Sequence, residues 1–399
     1  MLLGRNMETK LHRWSCVACA AGVFALSSPA WAVNGAQPGG HGAANAAMGG
    51  ASIALPLDAE AAANNPAGLA FVPSSMTLGL QVFHGNSSSQ YGLLGNELHN
   101  RATTVGPEGG MNWHASSDWT IGFSADFGGA GSNYQQPALP VSGAPNARAS
   151  LEVLELIPAV AWRPSSHFAI GFGLNIAHER FEAQGVIVPA PVPGGLLALA
   201  EHGPEQADGV GVRAGALWKP TSMLSLGLNL KSRTRMSRLA GYRQDLLAYS
   251  NGHLDVPSEY GVGVAWQATR ALTLASDWVR INWGELGVMK DPNGFRWRDQ
   301  PVLRLGAAWT IDNTWTLRAG YSHSRGQITS DRTAENLLVP SINHKAFTVG
   351  LGRRLNHGDS LNVGYEFNPR TTLQGSGAST GTSLTSKVQM FMLSYQHSL

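Results

Sequence analysis

Residues 168–176 read FAIGFGLNI, and this stretch decides the fold class. Every second residue is large and apolar, and the residues between them are small or polar. Successive side chains of a β-strand point to opposite faces, so a period of two predicts a strand and not a helix. Nine residues is also about the length at which a tilted strand crosses a bilayer. The stretch therefore predicts a membrane-crossing strand with one bulky apolar face.

The same alternation recurs along the chain, as in residues 224–230 and 302–309. Strands end in six short polar turns, which follow Trp113, Trp162, Trp218, Trp266, Trp309 and Arg354. Seven longer connections rich in Gly, Pro, Asn and Ser separate the turns, at 86–100, 129–148, 185–207, 241–255, 284–299, 326–341 and 371–385. Six turns and seven loops join fourteen strands, and an even antiparallel count with short turns on one side is typical of outer-membrane barrels. We expect an all-β fold, a 14-stranded antiparallel transmembrane β-barrel over 75–399, with the recurrent Trp as an aromatic girdle.

A soluble β-sandwich or β-helix is the alternative fold, because such folds also alternate. Their solvent face is usually richer in Thr, Lys and Glu, whereas here the second face carries Gly, Ala, Ser and Asn. Charged residues make up only 14% of the chain, and there are 48 glycines. This composition favours a barrel lumen lined by small side chains.

Residues 1–32 have the pattern of a secretory signal peptide. Basic residues precede the short apolar run 16–26, and Ala30-Trp31-Ala32 fits a cleavage site before Val33. Both cysteines, Cys16 and Cys19, lie in this segment, so the mature chain would have no disulfide or thiol chemistry. Removing its three Lys/Arg and one Glu from 28 basic and 26 acidic residues leaves 25 of each. A balanced charge argues against nucleic-acid binding.

Residues 33–74 precede the first strand, and we expect them to form a hatch, or plug, inside the lumen. Residues 48–73, MGGASIALPLDAEAAANNPAGLAFVP, are too small and too rich in Gly and Ala to build a core helix of their own. A barrel of fourteen strands leaves an open lumen unless something fills it. The plug predicted here would supply that filling.

The small-residue run 43–51, the pair Asp58-Ala59, and the run Asn65, Pro66, Ala67, Gly68 and Leu69 resemble the N-terminal hatch of the FadL/TodX family. Members of that family are outer-membrane channels for long-chain fatty acids and other hydrophobic compounds. Their barrel has fourteen strands, so the resemblance extends over the mature chain. It implies passive uptake by a monomer that contacts outer-membrane lipid and lipopolysaccharide and is inserted by the barrel assembly machinery.

The resemblance also implies a lateral exit at a kink in the third strand, residues 120–131. The family usually has Pro where this chain has Asp126, so the kink would come from Gly128 and Gly129, beside Phe127. The loop 185–207 is apolar among polar loops, and an exposed apolar patch usually marks binding. Leu196, Leu197, Leu199 and Ala200 would form a short helix there that captures substrate and covers the mouth.

Alternation places several basic side chains in the lumen: Arg213, Lys231, Arg233, Arg304 and Arg318. An arginine could bind a fatty-acid carboxylate with two hydrogen bonds. It could equally pair with the lumenal acids, namely Asp126, Glu155, Glu259 and Asp277. We take Arg213, Arg304 and Arg318 as candidate substrate contacts, together with the three leucines of the loop.

The sequence carries few features of an enzyme. The 13 histidines show no metal-ligand spacing, and no nucleotide-binding or nucleophile-elbow pattern occurs in a strand–turn–helix context, so we expect no cofactor and no metal. The expected function is a hydrophobic-compound channel. The alternatives are a general or structural porin and an outer-membrane lipid hydrolase, the latter because His178 and His323 lie near the outer ends of strands.

Overall fold

The structure is a computed structural model that describes residues 37, 39–91, 96–138, 144–185, 187–189, 196–291 and 294–399. Of residues 187–189 and 196–198 it describes the backbone only. The predicted signal peptide lies outside the described residues and stays a prediction. No helix within the described ranges is long and apolar enough to cross a membrane.

Seventeen strands follow one another in the described chain: β1 Ser75–Tyr91, β2 Asn96–His114, β3 Trp119–Asn133, β4 Arg148–Ser165, β5 Phe168–Gln184, β6 Ile187–Pro189, β7 Leu196–Ala198, β8 Glu205–Trp218, β9 Leu224–Lys231, β10 Arg235–Met236, β11 Glu259–Gln267, β12 Leu272–Ile281, β13 Gln300–Thr310, β14 Trp315–Ser324, β15 Lys345–Arg354, β16 Ser360–Gln374 and β17 Ser383–Ser398. Three one-turn helices accompany them: α1 Ala43–Ala46, α2 Ala61–Asn64 and α3 Gly287–Lys290. A 3₁₀ helix, Pro66–Phe71, ends just before β1.

Fourteen of the strands form one closed antiparallel barrel. Each strand pairs with its neighbour in the chain, β5 pairs with β8, and β8 pairs with β9. The seam closes where β1 lies against β17, with Ser75 opposite Ser398. The strands β6 and β7 form a separate small hairpin, and β10 is a two-residue addition to β8. The predicted count of fourteen barrel strands is confirmed, as are the six short turns.

The two faces of the barrel differ as the alternation predicts. On β5 the five large apolar side chains are exposed, including Phe172 at 50%, while Ala169 is fully buried. Side chains on the outer face of a transmembrane barrel contact lipid, which explains their apolar character. The tryptophans at the short-turn end are exposed as well: Trp113, Trp119, Trp162, Trp218, Trp266 and Trp309. They form the girdle expected at the headgroup layer.

The segment before β1, residues 39–74, packs against the inner faces of strands around the barrel. Asp277 on β12 accepts hydrogen bonds from the backbone N–H groups of Ser52 and Ile53, at 2.7 and 3.0 Å. Thr348 on β15 accepts from the N–H of Gly49 at 2.9 Å. The backbone of this plug approaches the wall closely, so small residues are needed there. A Cβ added at Gly306 of β13, for example, would lie 2.7 Å from the Cβ of Met48.

Loops from several strands cover the outer end of the barrel. The connections 232–258, 282–299 and 325–344 contribute Tyr242, Leu247, Trp283 and Leu337 to one apolar cluster, and each of these side chains is almost fully buried. The rings of Trp283 and Trp297 meet edge to face, with their centroids 4.9 Å apart. The loops are therefore a packed cap and not an open rim.

Two sequence predictions about the connections are wrong. The long connection predicted at 86–100 is mostly strand, because β1 runs to Tyr91 and β2 begins at Asn96. The short helix predicted after residues 194–195 is a strand, because Leu196–Ala198 pairs with Ile187–Pro189. The apolar run forms a local hairpin, in which the backbone groups are satisfied across strands and not within a helical turn.

Candidate functional site

The hatch motif fixes the plug through Asn65. Its side-chain Oδ1 accepts from the N–H of Ala67 at 3.1 Å, so Asn65 caps the 3₁₀ helix that Pro66 begins. Its Nδ2 donates to the carbonyl of Ile53 at 2.8 Å and to that of Ala216 on β8 at 3.2 Å. One buried side chain thus joins two parts of the plug to the wall. Gly68 lies against Pro56, where a Cβ would approach the proline Cβ to 2.8 Å.

The wall is interrupted between β2 and β3. Their ladder runs from His114 opposite Thr120 to Gly109 opposite Ala125, and there it ends. Both strands continue beyond this point, and β3 stays paired with β4 as far as Asn133 opposite Arg148. Hydrogen bonds reconnect the two sides at the far end, where the backbone N–H of Asn133 donates to the side-chain Oδ1 of Asn100 at 3.0 Å and the side-chain amide of Gln136 donates to the carbonyl of Glu97 at 2.8 Å. Between these two points β3 presents an edge that its ladder with β2 does not cover.

Phe127 lies across this interruption. A Cβ built on Gly106 of β2 would stand 2.7 Å from Cδ1 of Phe127 and 3.5 Å from its Cβ. The ring is 8% exposed and packs in an apolar cluster with Ala43 of α1 and with Phe83. Phe127 therefore joins the open edge of β3 to the plug. The predicted lateral exit at Phe127, Gly128 and Gly129 falls on this edge and stays a prediction.

A large cavity lies behind the interruption, with about 1470 Å³ of unfilled space in it and at its openings. Its lining changes along its length. At the wall opening lie Asp126, Phe127, Gly128 and Ala130, in the polar middle lie His41, Asn64, Glu155, Arg213 and Lys231, and under the loops lie Leu246, Leu254, Trp283, Met289 and Phe295. The cavity lining therefore includes both apolar residues of the outer loops and the unpaired edge of β3.

Charges in the middle of the cavity are largely paired within the protein. Glu155 accepts from Nζ of Lys231 at 2.9 Å, and Arg213 lies 3.9 Å from the same carboxylate oxygen. Arg213 also donates to Asn175 at 3.3 Å. Buried charges need such partners, because an isolated ion inside a protein is costly. The sequence had left two roles open for Arg213, binding a substrate carboxylate or pairing with a lumenal acid. The network corresponds to the second role.

Arg304 and Arg318 lie in different places. Arg304 lines the cavity and donates from NH1 to the carbonyl of Gly50 at 3.5 Å. Arg318 lies beneath the plug and donates to Oδ1 of Asn362 at 3.0 Å. The structure therefore brings Arg213 and Arg304 to one cavity and places Arg318 apart from them. Arg213 and Arg304 therefore lie where a solute in the cavity could reach them, whereas Arg318 does not line this cavity; the predicted substrate contacts stay predictions.

The loop 185–207 is tied down at its end. Leu199 is fully buried in the apolar cluster under the outer loops, and its carbonyl accepts from the N–H of Gly185 at 3.1 Å. The side chains of Leu196 and Leu197 lie outside the described residues. The capture and lid roles of the loop both stay predictions.

A carboxylate cluster at the plug was missed at the sequence level. Oxygens of Glu60 on the plug, Glu108 on β2 and Asp126 on β3 lie within 4.8 Å of one another, and all three residues are buried. Sequence alternation had indicated only that Asp126 faces the lumen. Glu60 and Glu108 are 48 positions apart in the chain, so no local spacing pattern could have shown that they meet.

The fold and the cavity define a class of protein: a closed transmembrane β-barrel with an internal plug and a channel-like cavity. A family model described as outer membrane protein transport protein (OMPP1/FadL/TodX) matches residues 19–392. The chain belongs to this family of outer-membrane transporters of hydrophobic compounds. It is a transport protein and not an enzyme.

Solved structures agree with the fold. A Pseudomonas aeruginosa FadL homologue is 18% identical with a TM-score of 0.70, covering 92% of this chain and 99% of that one. The P. putida toluene transporter TodX is 19% identical with a TM-score of 0.69, covering 90% and 99%. The Ralstonia pickettii toluene transporter TbuX is 16% identical with a TM-score of 0.67, again covering 90% and 99%. No curated protein matches the chain.

Proposed function

We propose that the protein takes up apolar solutes passively and releases them sideways into the outer membrane. A solute is captured at the loop 185–207, enters the cavity, and leaves past Phe127 once the plug moves. The driving force is partition down a gradient, since the sequence has no nucleotide-binding motif. Relatives described as toluene transporters, and the fatty-acid channels for which the family is named, support this class of substrate.

The interrupted ladder carries the proposal. A barrel normally pairs every backbone group of its strands, because an open sheet edge facing lipid is costly. Here β3 leaves its β2 side unpaired beyond Ala125, and Asp126, Phe127, Gly128 and Ala130 of this unpaired stretch line the cavity. Such an edge is tolerated where it lines a cavity. An exit at this position explains both the missing pairing and the position of the cavity behind it.

Plug movement is the step that opens the exit. Phe127 packs on α1 of the plug and covers Gly106 at the same time. A shift of α1 would therefore release the ring from the opening. The glycines at 128 and 129 leave the edge free of side chains beside it.

The substrate class depends on the cavity charges. Arg304 donates one long hydrogen bond to the carbonyl of Gly50 and forms no salt bridge among the described residues, although Asp277 and Glu366 lie near enough to interact with its charge, whereas Arg213 shares Glu155 with Lys231. A fatty-acid carboxylate would be recognised by Arg304 through charge-assisted hydrogen bonds. An aromatic hydrocarbon would need only the apolar region under the loops.

A disulfide across the opening tests the lateral route. The Cβ positions of residues 106 and 127 lie 3.5 Å apart, within the range that a disulfide requires. The chain's two natural cysteines both lie in the predicted signal peptide. We expect Gly106→Cys with Phe127→Cys to lower uptake of radiolabelled toluene or oleate to background when oxidised, and to recover on reduction.

The controls are the two single-cysteine variants under the same oxidising treatment, with folding checked by heat-modifiable gel mobility. Both should transport irrespective of redox state. Full uptake by the oxidised double variant, with the cross-link demonstrated by mass spectrometry, would contradict the lateral route.

A second experiment tests the substrate class. It compares uptake of oleate and toluene by Arg304→Ala and Arg318→Ala in cells that lack their own transporter. Losing a charge-assisted contact costs about 1.5–3 kcal/mol, which corresponds to a roughly ten- to hundredfold weaker affinity. We expect this loss for oleate and not for toluene in Arg304→Ala, and little change in Arg318→Ala. Uptake of toluene alone by the natural chain would assign it to hydrocarbons. Passage of sugars, with uptake of neither apolar solute, would leave a porin.

A further inference from the structure

The carboxylates of Glu60, Glu108 and Asp126 meet at the base of the wall opening. Gly109 and Ala125 form the last pair of the β2–β3 ladder, so Glu108 and Asp126 are the next residues on the two strands. Like charges opposite one another oppose strand pairing. Glu60 approaches this pair from the plug. Three separate parts of the protein therefore bring negative charge to one point.

Glu60 has no hydrogen-bond donor for either carboxylate oxygen among the described residues, although it is fully buried. Buried polar groups in proteins are nearly always satisfied, and an unsatisfied buried carboxylate is especially costly. Its oxygens point toward the oxygens of Glu108 and Asp126. This side chain is thus an unpartnered ligand group aimed into the cluster.

The surroundings orient the other two carboxylates without neutralising all three. Glu108 accepts from the side-chain amide of Gln81 and from the N–H of Gly42 at 3.3 Å. His41 contacts Asp126 through Nδ1 at 2.9 Å. Outer contacts of this kind are typical of residues that hold a metal ion. One histidine cannot balance three carboxylates.

We propose that Glu60, Glu108 and Asp126 bind a hard divalent cation, Ca²⁺ or Mg²⁺, that ties the plug to both strands at the base of the opening. Such cations take carboxylate oxygens at about 2.0–2.6 Å, so oxygens on opposite sides of one ion lie about 4–5 Å apart. The observed upper limit of 4.8 Å between the ligand atoms fits one ion. Asp126 and His41 also line the cavity, which provides a route of entry.

The ion would act as a clamp. Glu60 is part of the plug, whereas Glu108 lies on β2 and Asp126 on β3 of the wall. Bound metal therefore opposes separation of plug and wall at the site next to Phe127. Removing it leaves three crowded carboxylates and loosens the plug. This inference does not depend on which solute is transported.

The test uses the full mature chain in detergent, stripped with EDTA and dialysed against CaCl₂ or MgCl₂ in separate samples. We expect one equivalent of metal per chain by atomic emission, and a higher unfolding temperature with metal than with EDTA. Glu60→Gln keeps the shape and removes the charge, and should weaken binding by roughly tenfold or more. Asp126→Asn should do the same, so a folding defect in one variant does not end the test.

The matched control is Glu179→Gln. Glu179 is another buried lumenal carboxylate, 1% exposed, and lies outside the cluster. It should retain the metal. Folded natural protein that takes up neither Ca²⁺ nor Mg²⁺ from millimolar solution would overturn the proposal and mean that protons neutralise the cluster. Equal metal uptake by Glu60→Gln and the natural chain would also overturn it, because the ion would then be bound elsewhere.

Discussion

The two edges of β3 have opposite relations to their neighbours. Toward β4 the strand is paired along its whole length, from Trp119 to Asn133. Toward β2 it is paired only up to Ala125. The same residues thus complete a barrel wall on one side and border a cavity on the other. The opening is thus a loss of pairing on one edge only, since β3 keeps its pairing with β4 in unbroken register.

The plug shows a related asymmetry. Against β12 and β15 it is held by hydrogen bonds from its backbone to Asp277 and Thr348. Against β2 and β3 it presents Glu60 to two further carboxylates. The plug is therefore anchored by backbone hydrogen bonds at the paired wall, whereas at β2 and β3 the contacts from Gly42 and His41 stand beside a cluster of like charges.

Removing the strongest anchor on the paired wall should loosen the plug most. Asp277→Ala leaves the N–H groups of Ser52 and Ile53 without their acceptor, and each buried unsatisfied donor costs about 1–3 kcal/mol. We expect faster hydrogen exchange in residues 48–55 and a lower unfolding midpoint in urea. Asp277→Asn retains a side-chain oxygen and should lose much less. Unchanged exchange in Asp277→Ala would show that the plug is held elsewhere.

Crowding the paired edge of β3 should have the next largest effect. A Cβ at Gly129 would overlap the carbonyl oxygen of Leu151 on β4. Overpacking of this kind costs about 1–3 kcal/mol, so Gly129→Ala should lower the folded fraction seen by heat-modifiable gel mobility. Gly326→Ala is the matched control, because its Cβ would have 3.8 Å to the nearest atom. Equal folding of the two variants would mean that the β3–β4 edge can relax.

Cutting the contact at the far end of the opening should have a smaller effect. Asn100→Ala removes the acceptor for the N–H of Asn133, at a cost of about 1 kcal/mol. We expect faster hydrogen exchange at Asn133 and nearby on β3, with the β4–β5 amides unchanged as an internal control. Slower or unaltered exchange at Asn133 would mean that another acceptor replaces Asn100.

The smallest effect concerns the short turn between β15 and β16, where Asp359 accepts from the hydroxyl of Tyr395 on β17 at 2.6 Å. The hydrogen bonds from Tyr395 and from the N–H of Ser398 hold the pKa of Asp359 below its usual value. A carboxyl whose pKa is lower in the folded state stabilises the fold above its unfolded pKa and loses this contribution as pH falls through the folded pKa.

We therefore expect Asp359→Asn to lower the urea midpoint slightly at pH 7, with the difference shrinking as the pH falls below the unfolded aspartate pKa of about 3.9 and disappearing below the lowered pKa of the folded state. The measurement is a series of urea titrations of both proteins across that pH range. A difference that persists in acid would assign the effect to packing and not to the charge of Asp359.

The sequence alone determined the barrel. Alternation such as that from Phe168 to Ile176, the turns after tryptophans, and the small residues around Asn65 are all local patterns. Because β-strand side chains alternate by backbone geometry, these patterns specify faces, strand number and the presence of a plug before any contact is known. Local patterns also misled the prediction in two places, because they predicted a long loop and a short helix where the chain forms strands.

Only the tertiary structure decided where the wall opens and which charges meet. The end of the β2–β3 ladder at Ala125, the Glu155–Lys231 pair and the cluster around Glu60 all join residues far apart in the chain. Alternation indicated that such side chains face the lumen. It could not tell which of them are neighbours, because strand register and plug position arise from the packing of the whole barrel and not from any single segment.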